Sequence, residues 1–240
     1  MSNDGVVAVE RALSVLDSFR PGKEHLTLAE LANELPLHKT TIFRLLNSLV
    51  RKGFVTRGPD GRYSLGAKVL YLGRVYQRGF SLADMVTGVL MRLMQQSGET
   101  ASYYVPHGEA DRLCLFRAQP AEGLHAQVIA GTVLPPDNSS CGRVFSIWHL
   151  GQVPPAQQLP YFSSGQRDPF SSSWSVPLFG VEDRFAAALV VGGLTERIKA
   201  ANGTAVRVAM MQAAWELSRR LGASDGWLAH VYGSVQGNEG

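Results

Sequence analysis

The sequence predicts an α+β protein in two parts. An N-terminal winged helix-turn-helix is followed by a linker helix and then by a mostly antiparallel sheet with helices gathered on one face. Three observations predict it. Residues 26–66 read as helix, tight turn, second helix and short hairpin. Residues 35–59 contain no Asp or Glu, yet carry Lys39, Arg44, Arg51, Lys52 and Arg57. Beyond Leu82, β-prone runs alternate with long amphipathic helical patterns.

Taken in order, residues 6–19 place Val6, Val9, Leu13, Leu16 and Phe19 at helical spacing, and Pro21-Gly22 ends that helix. Thr27 with Glu30 three residues on is a capping box, which opens a second helix with Leu28, Leu31, Ala32 and Leu35 inward. Pro36 stops it. A third helix spans residues 39–52, with Ile42, Leu45, Leu46 and Leu49 inward and Gly53 as its terminator. Residues 54–57 and 62–65 are the wing, joined by the turn sequence Gly58-Pro59-Asp60-Gly61. Residues 67–77 form the linker helix.

In the second part, residues 85–96 are an amphipathic helix. Residues 101–105 and 113–118 are strands, and 126–130 a third. Residues 141–150 read as a helix and 153–173, rich in Pro, Gln and Ser, as loop. Residues 174–179 and 185–191 pair as strands across a turn, and 203–221 form a long closing helix. The tail after Gly226 carries no readable pattern, and residues 237–240 read as frayed. The domain boundaries implied are 1–66, a linker helix at 67–81, and 82–240.

Composition excludes several classes. With 45% hydrophobic and 18% charged residues, the chain is neither disordered nor fibrous. Two cysteines, Cys114 and Cys141, make no disulfide framework, and no Cys/His cluster suggests a metal, so none is expected. No signal peptide and no membrane span are legible, which points to the cytoplasm. The net charge of +3 is small, but residues 38–68 hold seven Lys or Arg against one acid, Asp60. This local basic patch is the footprint of a nucleic-acid binder.

The outward face of the third helix suits DNA. Arg44 is of the type that bonds a guanine edge, and Asn47 one that bonds adenine. Lys39, Thr40, Thr41, Ser48 and Arg51 reach phosphates or base edges. Thr27 and His38 stand at helix starts, and Arg57 and Arg62 flank the wing tip, where they meet a neighbouring phosphate or the minor groove. The expected partner is double-stranded DNA, read as a pseudo-palindromic operator by a dimer.

The run LAELANELPLHKTTIFRLLNSLVRKGFVTR, with GRYSLG and Val69-Leu70-Tyr71-Leu72-Gly73 behind it, resembles the N-terminal domain of the IclR family of bacterial transcriptional regulators. The segments 134–143, 173–177 and 185–193 resemble pieces of that family's second domain. The resemblance implies a GAF-like effector-binding domain, a homodimer or tetramer, and action as repressor or activator. The chain departs from the pattern at Asp137-Asn138-Ser139, where the family has His-Ala-Thr, and at Ser173, where Cys is frequent. The segment 150–173 is also short.

A GAF-like sheet makes its ligand cavity on the face opposite the long helices. The polar candidates are Asn138, Ser139, Ser140, Ser173 and Ser175, and the apolar ones Tyr104, Leu115, Val128, Trp174 and Leu189. The amides of Ser140, Cys141 and Gly142 open a predicted helix and suit a carboxylate. The expected effector is therefore a small organic acid. The alternative is an architectural, oligomerising DNA binder whose second domain takes no ligand. Catalysis is not expected: the sequence has no GxSxG, phosphate loop or HExxH, and no cofactor motif.

Overall fold

A computed structural model describes residues 5–79, 81–121, 128–151, 159–200 and 203–233. The expected fray at 237–240 lies outside the described residues. The chain divides into two compact units, Met1–Phe80 and Ser81–Gly240.

The first unit comprises α1 (Val7–Asp17), α2 (Leu28–Glu34), α3 (Lys39–Arg51), the wing strands β1 (Val55–Arg57) and β2 (Tyr63–Leu65), and α4 (Ala67–Gly79). Its core is Val15, Phe19, Leu26, Leu31, Ile42, Leu46, Leu49, Val55 and Tyr63. Helix α1 departs from expectation. Of the five residues at helical spacing, Val6, Val9 and Leu13 are exposed, whereas Leu16 and Phe19 face inward together with Ala12 and Val15. Both sets have helical spacing, and the second is the one that meets α3.

The capping box forms as read: the Glu30 amide donates to Thr27 Oγ1 at 3.1 Å, and the Thr27 amide donates to Glu30 Oε2 at 2.7 Å. Leu26 and Tyr63 exchange backbone hydrogen bonds of 2.9 and 2.7 Å, which lash the wing to the entry of α2. Gly53 leaves α3 at φ 77°. Gly66, where the wing turns into α4, lies against the Gly53 carbonyl.

The second unit carries a six-stranded antiparallel sheet in the order β5-β4-β3-β8-β7-β6. Its strands are β3 (Thr100–His107), β4 (Asp111–Ala118), β5 (Val133–Leu134), β6 (Tyr161–Ser164), β7 (Ser171–Phe179) and β8 (Phe185–Leu194). Helices α5 (Ser81–Ser97) and α8 (Gly203–Arg220) pack on one face and on each other. Helix α6 (Ser140–Trp148) lies across β6, β7 and β8 on the other. Short α7 (Thr195–Ala200) follows β8, and α9 (Asp225–Tyr232) packs on α8.

Three readings need correction. Of the strand expected at 126–130, residues 126 and 127 lie outside the described residues and 128–130 form none. The chain there turns through Gly131 at φ 92° before pairing as β5. The expected loop at 153–173 contains β6 and the start of β7, with 153–158 outside the described residues. The inward positions of β6 are Tyr161 and Ser163, so serine hides the apolar alternation. The tail holds α9, capped by Ser224 and anchored where Tyr232 Oη donates to the Pro177 carbonyl at 2.6 Å. Among the described residues, no helix is long and apolar enough to cross a membrane.

The glycine at the wing–α4 joint gives a direct test. A Cβ on residue 66 would collide with the Gly53 carbonyl oxygen, a backbone atom that cannot swing away. Gly66→Ala is expected to destabilise the first unit by about 1–3 kcal/mol, read from urea denaturation.

Candidate DNA-binding face and ligand cavity

The outward face of α3 is built by what the inward face buries. With Ile42, Leu46 and Leu49 in the core, His38, Lys39, Thr40, Arg44, Asn47, Ser48 and Arg51 are exposed and Thr41 is half-buried. Among the described residues, Lys39, Arg44, Arg51, Lys52 and Arg57 form no ion pair, so their charge is available to phosphates.

Not every candidate is equally placed. The Thr27 hydroxyl already caps α2. Arg62 is held within the unit: Nη1 donates to the His25 carbonyl at 3.1 Å and approaches Glu30 at 3.5 Å, and Nε stands 4.0 Å from Asp60. Arg57 stacks over the Tyr63 ring at 5.4 Å. One residue escaped the sequence reading. Phe43 is 40% exposed between Thr40 and Asn47, where an aromatic edge can meet a thymine methyl. Its spacing of three from Thr40 and four to Asn47 was the available signal.

In the second unit, the sheet face under α6 holds a cavity of about 60 Å³. It opens on the face away from α5 and α8. Tyr104, Val128, Ser139, Cys141 and Ser173 line it. Thr100, Ser102, Arg117, Arg167 and Gly192, which the sequence reading did not select, line it as well. Register explains the set. Thr100 pairs with Gly192 and Gly192 with Ser173, so these three form one row across β3, β8 and β7. Strand polarity was readable, but which serine and threonine share a row depends on register, which no single strand encodes.

The other candidates lie elsewhere. Trp174 and Leu189 point to the opposite face by strand alternation; Trp174 meets Phe162 at 4.5 Å and Arg207 at 5.4 Å. Leu115 falls at the bulge where Tyr103 pairs with Phe116 but Tyr104 with Cys114, and it does not reach the cavity. Asn138 is exposed. Ser140 and Ser175 are fully buried behind Ser173 in a hydroxyl chain: Ser140 Oγ lies 2.7 Å from Ser173 Oγ and 2.8 Å from Ser175 Oγ.

Two of the first amides of α6 are also already satisfied. The Ser140 amide donates to Ser163 Oγ at 2.7 Å and the Gly142 amide to Ser139 Oγ at 3.1 Å. Asp137 sits against Gly142, so closely that a Cβ there would collide with it. Its Oδ1 accepts from the Ser139 amide at 3.0 Å and from the Ser139 hydroxyl at 2.5 Å. Its Oδ2 pairs at 2.6 Å with Arg112, a guanidinium 1% exposed whose Nη1 donates to the Pro135 carbonyl at 2.6 Å. The protein's own carboxylate therefore stands at the helix start that the sequence offers to an external one.

Burial shapes the titrating groups. It pushes the Cys141 thiol up to about 12 and raises Cys114, so neither is a thiolate near neutral pH. For Asp137, burial alone would raise the carboxyl, but the Ser139 hydroxyl and the Arg112 guanidinium outweigh it and hold the pKa below the usual carboxylate range. Among the described residues, no cluster of three metal-ligating side chains is present.

The lowered Asp137 pKa carries a stability contribution that is present above the ordinary carboxylate value and lost as pH falls through the lower, folded one. Asp137→Asn strands the buried Arg112 charge and is expected to cost about 3 kcal/mol at neutral pH. Denaturation at falling pH should show the gap between variant and parent closing below about pH 4.

Comparison with known proteins bears on both parts. Residues 8–59 match the IclR helix-turn-helix domain. The chain is 32% identical over 143 residues to the Pca regulon regulatory protein of Pseudomonas putida, a match spanning 59% of this chain and 48% of that protein. It is 24% identical over 247 residues to the transcriptional regulator XynR of Escherichia coli (strain K12), covering 90% of this chain and 98% of the relative. Among solved structures, an IclR transcriptional regulator from Alicyclobacillus acidocaldarius superposes with a TM-score of 0.73 at 23% identity, over 93% of this chain and 99% of that one. An IclR homologue from Microbacterium hydrocarbonoxydans, crystallised with 4-hydroxybenzoate, gives 0.66 at 19% identity, over 89% and 98%. The chain thus carries a helix-turn-helix of the IclR type and resembles transcriptional regulators along its length.

Proposed function

We propose that this regulator binds a pseudo-palindromic operator as a homodimer or tetramer and that a small organic acid in the α6-face cavity modulates that binding. Residues 1–66 and the linker helix are the DNA-reading part, residues 82–240 the sensing part, and the protein acts in the cytoplasm, where its DNA is. The observation that carries the proposal is the cavity itself: it lies between the sheet and α6 of the second unit and is lined by hydroxyls and two arginines. The relative crystallised with 4-hydroxybenzoate supports an acid as the ligand class.

Dimer contacts are assigned to two exposed apolar surfaces of the first unit. Val6, Val9 and Leu13 are 65%, 55% and 54% exposed around α1, and Leu70 and Tyr76 on α4 are 67% and 47%. Side chains of this size left in water mark an interaction site. Within each recognition helix, Lys39, Thr40, Arg44 and Asn47 meet the major groove, with Phe43 among them. A ligand alters operator affinity only by binding two conformations unequally.

One observation favours a second reading, an architectural regulator with no effector. Asp137 supplies from within the carboxylate that an effector would bring to α6. The two readings part on ligand response: no small acid shifts the melting temperature or operator affinity of an architectural protein.

Arg44→Ala is expected to lower discrimination between operator and random DNA by about 1–3 kcal/mol in competition titrations. Equal losses on both would make Arg44 a phosphate contact. Leu13→Glu should shift the sedimentation coefficient toward monomer at fixed concentration and weaken operator binding in parallel. A dimer unaffected by it removes α1 from the interface.

A further inference from the structure

The outward face of α3 carries one side chain whose chemistry the others do not share. Lys39, Thr40, Arg44, Asn47 and Ser48 all end in hydrogen-bonding groups. Phe43 stands among them 40% exposed. Three residues after Thr40 and four before Asn47, it shares a flank of the helix with both. Among the described residues it does not join the core of the first unit, whereas Leu45 and Phe54 pack against that core. A ring this open gains more from an apolar group brought against it than from the fold.

The major groove offers such a group on one base. The C5 methyl of thymine is the apolar element among the base edges there. Hydrogen bonds do not detect it, because thymine and uracil present the same O4 acceptor, whereas an aromatic ring does. Two competitors for the contact lie on the same helix, since exposed Thr40 and half-buried Thr41 also carry methyl groups. Val50, 37% exposed, continues the flank of Phe43 two turns on, but it stands near the end of α3, and the groove takes the start.

We propose that Phe43 reads the C5 methyl of a pyrimidine in the major groove. The site then holds thymine at the base pair that Phe43 meets and accepts 5-methylcytosine in its place, so methylation of a cytosine at that position strengthens binding. This role rests on the proposed entry of α3 into the groove and adds the chemical group that one of its residues recognises.

Duplexes selected from a random-sequence pool by the full chain supply the probe. In the tightest of them, each thymine is replaced singly by uracil, which removes the methyl and nothing else, and affinity is read by fluorescence anisotropy at fixed salt. At a position in each half-site, uracil is expected to weaken binding about fourfold, the worth of one buried methyl group. At the same position, 5-methylcytosine should bind about fourfold more tightly than cytosine. Phe43→Ala should abolish both differences with the melting temperature of the protein unchanged. Phe43→Leu should keep part of them, and Thr40→Ser should keep them whole. Uracil scanning with no effect at any position overturns the proposal, as do methyl differences that survive Phe43→Ala or vanish in Thr40→Ser. Unaltered methyl differences with a smaller sedimentation coefficient in Phe43→Ala overturn it too, and place Phe43 in a protein interface instead. If no sequence is enriched from the pool, operator reading by α3 falls and this role with it.

Discussion

At the start of α6, the ion pair of buried Arg112 with half-buried Asp137 fixes most of what the second unit can do. Arg112 reaches from β4 through the Pro135 carbonyl to Asp137, and Asp137 in turn holds Ser139, the N-cap of α6. Through this chain the sheet edge, the β5 strand and the helix are set at one spacing. A charge so far from water is tolerable only because it is paired and hydrogen-bonded. The same carboxylate fills the helix start, so any anion entering the domain must find its positive charge elsewhere, and the cavity places Arg117 and Arg167 in its lining. Serine hydroxyls fill the space between α6 and β7, and the cavity is what remains above Gly192, where the sheet has no side chain.

The first unit works by a parallel logic of charges used and charges left over. Glu34 pairs with Arg20 and Lys23, and Glu30 and Asp60 approach Arg62, so the acids bordering the basic stretch are engaged within the unit. Among the described residues the cations of α3 have no such partners, and the helix presents a basic face. The linking of Leu26 to Tyr63 matters here, since it ties the wing to the entry of α2 and so fixes Arg57 relative to α3.

Much of this was legible in the sequence, and the parts that were not share a cause. Ile42, Leu46 and Leu49 announce α3 because helical period is a local property, and Thr27 with Glu30 announces the start of α2 for the same reason. Tyr104, Ser139, Cys141 and Ser173 were selected from their neighbourhoods and do line the cavity. Trp174 and Leu189 were assigned to the wrong face because both faces of β7 and β8 are buried, so alternation of polarity gives no sign of direction. Leu115 depends on a bulge, Thr100 and Gly192 on register across three strands, and Asp137 on a partner twenty-five residues away. Strand β6 was hidden because serine serves as an inward residue, and α1 presents two apolar stripes of which only packing reveals the buried one.

In the proposed mechanism, occupancy of the α6-face cavity and affinity for operator are linked. The test is the fluorescence anisotropy of labelled operator DNA titrated with the full chain, without and with a small organic acid at a concentration that saturates its own binding in calorimetry. Linkage predicts a change of about fivefold or more in operator affinity, and an equal change in the affinity for the acid when operator is added first. Operator affinity that stays the same across a saturated cavity would contradict it.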